Sequence, residues 1–181
     1  MADFEPENLI KTLIRHQVEF VLIGGVAATI YNSAYVTVDA NLCYARTPEN
    51  LKKLAAALRE LKAELRGAPR GLPFKLDDRT LKMGLNFTFN TKFGSLDILG
   101  EVAGVGTYDD MVGDAKAARA FNNEVKVLSL PKLIASKRAA GRPKDQLLLL
   151  ELDLLLKTRA CLDKANNEKH GGNTPQRNGS R

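Results

Sequence analysis

One mixed α/β domain, a sheet with helices packed against it, is the fold class that this sequence of 181 residues predicts. Three observations point to it. Short apolar runs bounded by glycine, proline or asparagine alternate with longer segments of helical periodicity. The composition, 44% hydrophobic and 27% charged, is that of a globular domain and excludes collagenous, coiled-coil and wholly disordered chains. The length exceeds the usual ~150 residues of one domain by little, which suits a domain over 1–163, helical in its part 130–163, followed by a basic tail over 164–181.

The elements follow in order. Pro6 suits a first helical turn, and Leu9, Ile10, Leu13 and Ile14 share a face, so 6–17 is a helix. Residues 19–23 (EFVLI) form a buried strand stopped by Gly24-Gly25, and 26–31 a short helix. In 37–44 the residues alternate: Val38, Ala40, Leu42 and Tyr44 face one way, Thr37, Asp39, Asn41 and Cys43 the other. Thr47-Pro48 opens a helix by cap preference, and the stripe Leu51, Leu54, Leu58, Leu61 and Leu65 carries it to 65. A Gly/Pro-rich connection over 67–73 leads to a helical turn or loop at 77–82. Residues 86–91 and 95–99 read as a hairpin turning near 90–94. A glycine-rich loop, a weak helix at 107–112 and two strands at 119–121 and 125–128 come next. Ser129-Leu130-Pro131 begins a helix to 140, and Pro143 opens the last, to 162. That last helix is apolar nearly all round, so it is either covered by the domain or meets a second subunit or partner.

Charge and special residues narrow the function classes. Lys164, Lys169, Arg177 and Arg181 against Glu168 put half of the +6 net charge beyond residue 163. This low-apolar tail is expected to be disordered, and it reads first as a solubilising end, second as a nucleic-acid contact. The acidic N-terminus and the lack of an ~18-residue apolar run predict a cytoplasmic protein without a membrane partner. Cys43 and Cys161 make no disulfide framework. Two histidines, His16 and His170, do not favour a zinc site or a histidine-based triad. Gly100, Gly104 and Gly106 resemble a dinucleotide turn weakly, and a flexible loop that could cover a site is the better reading.

The residues that carry chemistry lie early in the chain. A glycine pair between a strand and a helix allows a phosphate to approach the backbone, although Gly24-Gly25 is equally a tight turn. Asp39 and Asn41, two apart on a strand, project to one side about 7 Å apart. Asp97 sits mid-strand between core residues Leu96 and Ile98, where aspartate is disfavoured. Three oxygen donors from two strands would suit Mg²⁺; as solvated strand ends they would do nothing.

Leu22-Ile23-Gly24-Gly25, Ser33 and Thr37-x-Asp39-x-Asn41 resemble the signature of the DNA polymerase beta-like nucleotidyltransferase superfamily. Leu130-Pro-Lys-Leu-Ile134, Ser136-Lys137-Arg138 and Gly141-Arg142-Pro143-Lys144-Asp145 are similar to the C-terminal segment of its small bacterial members, among them nucleotidyltransferase toxins of toxin–antitoxin pairs. The resemblance spans about residues 8–160. It implies a nucleotidyltransferase fold, with Asp39 and Asn41 as the metal-binding pair and Asp97 as the third ligand, which deprotonates the acceptor hydroxyl. It implies nucleotide binding by Gly24, Gly25, Ser33, Thr37 and Lys137, and an auxiliary role for Arg142 and Asp145, the latter near the site or paired with Arg142. The implied reaction moves a nucleoside monophosphate from an NTP to a hydroxyl with Mg²⁺ or Mn²⁺. The acceptor would be an RNA 3′ end, a protein or a small molecule, and a cognate protein partner or a homodimer is conceivable.

Two positions depart from the pattern. Asn41 stands where an aspartate is usual, which removes one negative charge from the metal site; at ~4 Å and an effective dielectric near 20 that charge is worth roughly 4 kcal/mol before the relief of carboxylate repulsion. Tyr35 stands where many relatives carry arginine. The alternative reading is a catalytically impaired member that binds a nucleotide or a partner.

Overall fold

The computed structural model of the chain describes residues 3–69 and 74–170. Residues 70–73 of the Gly/Pro-rich connection and residues 171–181 of the expected disordered tail lie outside it.

A seven-stranded mixed sheet organises the described residues, in the order β3-β4-β5-β2-β1-β9-β8. At its centre β1 (Phe20–Ile23) runs antiparallel to β2 (Asp39–Tyr44), and β2 runs parallel to β5 (Gly94–Leu99). The hairpin of β4 (Asn86–Thr91) with β5 forms as the sequence predicts, and β3 (Glu64–Leu65) pairs with β4 at the edge. On the other side β9 (Asn123–Val127) is parallel to β1, and β8 (Lys116–Ala120) closes that edge. The β8–β9 hairpin turns on Phe121 and Asn122, both with positive φ, so its first strand starts earlier than the sequence suggests.

Each helix covers apolar sheet surface. In α1 (Pro6–Arg15), Leu9, Ile10 and Leu13 are fully buried, and the helix lies against α3 (Pro48–Glu60). The hydroxyl of Thr47 accepts the Asn50 N–H, and Pro48 begins α3, as expected. The helix stops at Glu60 rather than at 65. Lys62 takes φ 52° and donates its N–H to the Arg59 carbonyl, so Glu64 and Leu65 enter the sheet. The leucine stripe therefore spans two elements: Leu61 is buried at the helix end and Leu65 belongs to β3. Residues 78–83 form α4 (Asp78–Met83), capped by Asp77, whose carboxylate accepts the Thr80 N–H.

The glycine-rich stretch is more ordered than a loop. β6 (Glu101–Val102) and β7 (Gly106–Thr107) pair as a small hairpin. Gly104, at φ +73°, packs so closely on α6 (Leu130–Ala140) that a methyl group there would lie 2.7 Å from Ala139 Cβ. α5 (Tyr108–Val112) follows with a full capping box from Thr107 and Asp110. After a 3₁₀ turn, Pro143–Asp145, α7 runs over Gln146–His170. It continues past 162 into residues 164–170, the start of the tail expected to be disordered, because extending a nucleated helix adds one hydrogen bond per residue without requiring burial. Leu148 and Leu152 are buried, while Leu147, Leu150 and Leu154 are exposed, so α7 is covered on one side only. Among the described residues, no helix is long and apolar enough to cross a membrane.

Candidate functional site

Strand register places the key residues. Asn41 on β2 is the direct partner of Asp97 on β5, and Asp39 is the partner of Ser95. Neighbouring strands lie about 4.8 Å apart, and paired residues share a face. The expected trio of Asp39, Asn41 and Asp97 therefore comes together on one side of the sheet centre. All three are half-buried. Burial pushes the Asp97 carboxyl above its ordinary value; the Arg66 guanidinium opposes that, the Asp39 carboxylate adds to it, and Arg142 opposes it in turn.

The turn between β1 and α2 (Gly24–Ile30) lies directly over these residues. Ile23 pairs with Asn41 in the sheet. Gly24 has φ +67°, and a methyl group on it would sit 3.0 Å from Asn41 Cβ. On Gly25 a methyl would lie 2.5 Å from both Cβ and Oγ1 of Thr37. Only glycine leaves this approach open. Thr37 in turn fixes the first carboxylate, its hydroxyl donating to Asp39 Oδ1 at 2.9 Å and lying 3.1 Å from the Asp39 carbonyl oxygen.

The other expected residues are reached from the C-terminal helices. Lys137 on α6 pairs with Asp145 Oδ1 at 3.0 Å, and its ammonium lies 6.0 Å from the centre of the Tyr35 ring. Asp145 is 1% exposed, and its second oxygen has no hydrogen-bond partner among the described residues. Its ion-pair partner is thus Lys137 rather than Arg142, whose charge is felt instead at Asp97. Ser33 is buried and bound to α7: its hydroxyl donates to Glu151 Oε2 at 2.7 Å, while the Ala34 N–H donates to Oε1 at 2.7 Å. These two bonds hold the Glu151 carboxyl below its ordinary value. Ser33 shapes the 33–37 segment, and through it the approach to Asp39. Cys43 lies deep under the same face, fully buried, with its thiol pushed up to about 12 by burial.

Two residues of the site escape sequence reasoning. Arg66 follows β3, donates its N–H to the Thr88 carbonyl at 2.8 Å and directs its guanidinium onto Asp97 Oδ1. Reading 47–65 as one helix hid it. Glu151 interrupts an apolar run, and a carboxylate in such a run is the signal that could have marked it.

The donor set is two carboxylates and one amide oxygen, hard ligands of the kind Mg²⁺ and Mn²⁺ take. Among the described residues no three His, Cys, Asp or Glu side chains gather to hold an ion, so a cation here would need Asn41 as its third donor. With that proviso the residues fit a divalent cation.

No model of a known protein family matches the sequence, and no curated protein matches it. Solved structures do. The crystal structure of lincosamide antibiotic adenylyltransferase LnuA, lincomycin-bound, is 12% identical, with a TM-score of 0.57 over 86% of this chain and 99% of that one. ANT(2")-Ia in complex with adenylyl-2"-tobramycin is 14% identical, with a TM-score of 0.54 over 89% of this chain and 92% of that one. At such identity the likeness concerns the fold alone, and the chain shares its fold with these two solved structures.

Proposed function

We propose that this chain is a metal-dependent nucleotidyltransferase that moves a nucleoside monophosphate from an NTP to an acceptor hydroxyl. The observation that carries the reading is the register of β2 on β5, which sets Asn41 beside Asp97 with Asp39 on the same face, under a glycine turn no side chain obstructs. Asp39, Asn41 and Asp97 would hold Mg²⁺ or Mn²⁺, which when bound supplies Lewis-acid stabilisation of the charge that develops on the phosphate oxygens. Gly24 and Gly25 admit the phosphates to the backbone. Thr37 keeps Asp39 in one orientation. Asp97 takes the proton of the acceptor hydroxyl as its oxygen bonds to the α-phosphorus, and the bond to the pyrophosphate oxygen breaks in line. Lys137 and Arg142 supply positive charge near the leaving phosphates.

The two fold relatives are named for a lincosamide antibiotic and for adenylyl-2"-tobramycin, so a small-molecule hydroxyl is the first acceptor class to try, ahead of RNA or a protein. A place among the toxin-like members would show as growth arrest on expression, relieved by a cognate partner.

A second reading has its own support. Asn41 lowers the negative charge of the site and Arg66 already occupies Asp97, as in a protein that binds nucleotides without turnover. Asn41→Asp separates the two. In a competent enzyme it restores a ligand charge and tightens the cation by about tenfold or more, and transfer of labelled α-phosphate or pyrophosphate release rises with it. Tighter cation binding with no turnover under any acceptor tried supports the binding protein.

A further inference from the structure

Arg66 is the one cation hydrogen-bonded to the proposed ligand trio among the described residues. Its guanidinium donates through a single nitrogen, Nη2, to a single oxygen, Asp97 Oδ1. The remaining N–H groups of the fork are not engaged by Asp97, and neither is Oδ2. The pair is accessible, with side chains 35% and 20% exposed for Arg66 and Asp97. The backbone beneath it is anchored, since the Arg66 N–H donates to the Thr88 carbonyl on β4. The next residue, Gly67, has φ +77°, and among the described residues no non-neighbouring atom lies within 4 Å of where a Cβ would sit. The guanidinium can therefore leave Asp97 by rotating its own side chain, with β3 and β4 in place.

Charge decides what this arrangement does. Asp39 and Asp97 bring two negative charges, Asn41 none, and Arg66 cancels one, so a divalent cation arriving alone meets one net negative charge. It must also displace a guanidinium from one of its ligands. A triphosphate changes both terms. Its oxygens accept guanidinium N–H donors two at a time, and its charge compensates for the carboxylate that Asn41 lacks. We propose that Arg66 is the resident counter-cation of this site, which holds Asp97 until a triphosphate takes its guanidinium, so that cation and triphosphate bind together and the bare cation binds poorly. This rests on the nucleotidyl-transfer reading. Arg66 is a positioning residue with respect to Asp97 and a phosphate ligand once the nucleotide is bound.

The test is direct titration by calorimetry and Mn²⁺ electron spin resonance, first with Mn²⁺ alone and then with ATP and Mn²⁺. The proteins are wild type, Arg66→Ala, Arg66→Gln, Asp39→Ala and, as a charge control on the far edge strand β8, Arg119→Ala. Removing the competing cation should tighten bare Mn²⁺ about tenfold or more in both Arg66 variants, while their affinity for the ATP complex falls. Arg119→Ala should change neither. Should Arg66→Ala fail to fold, Arg66→Gln, which keeps the stem and a donor, carries the same comparison. Unchanged bare Mn²⁺ affinity in the Arg66 variants overturns the role of Arg66, and so does an unchanged affinity for the ATP complex. The underlying reading fails in a different way: ATP does not bind wild type, or binds equally well to Asp39→Ala. If Asp39→Ala abolishes binding and the Arg66 variants behave as wild type, the counter-cation role alone is wrong.

Discussion

Gly25 has no room for a side chain, because the Thr37 side chain fills the volume a Cβ would need. Gly25→Ala has to push Thr37 aside, and Thr37 is what orients Asp39. The substitution should cost about 1–3 kcal/mol of stability, as overpacking does, visible as a lower denaturant midpoint, and it should weaken nucleotide binding by more than the stability loss explains. Glu151 gives a prediction with a pH sign. Its bonds to Ser33 and Ala34 lower the folded value from an ordinary 4.5, so the stabilisation is present above the unfolded value and is lost as pH falls through the folded one. Glu151→Gln should melt at a lower temperature than wild type near pH 7, and the difference should close once pH has fallen through the folded value of Glu151, where both side chains are neutral. A gap that persists at low pH would mean that shape, not charge, makes the contact.

Elements were legible where local signals agree. The capped helix at Thr47-Pro48, the hairpin of β4 and β5 and the alternation in β2 all follow from periodicity and turn chemistry, which act over a few residues. The errors lie where a longer-range choice wins. Leu61 and Leu65 continue a helical stripe, yet the chain turns at Lys62 so that Glu64 and Leu65 can pair with β4. Edge pairing with partners 24 and 26 residues away, Leu65 with Phe89 and Glu64 with Asn90, leaves no local trace, and Arg66 was lost with it. The short β6–β7 hairpin was hidden in the same way, since Gly104 between its strands packs on α6. Within the site, sequence could propose Asp39, Asn41 and Asp97 as donors, and the β2–β5 register places them together. It could not tell that Ser33 answers to Glu151 or that Lys137 answers to Asp145, because those partners lie 118 and 8 residues away and are met only through packing.

For the molecule as a whole, the proposed function sets the chemistry at the sheet centre, with basic residues of the segments from Leu130 onward on its approach. Lys137 sits beside Tyr35, Arg142 acts on Asp97, and Arg66 reaches Asp97 from the turn after β3. With Arg66 and Arg142 acting on Asp97, the proposed site would take a cation that arrives with its own anion. The measurement that tests this most directly is calorimetric titration of each NTP in the presence of Mn²⁺ into wild type and into Asp39→Ala. Saturable, metal-dependent binding to wild type that disappears in Asp39→Ala is the predicted result. Binding that survives in Asp39→Ala, or no binding of any NTP to wild type at millimolar concentration, would contradict it.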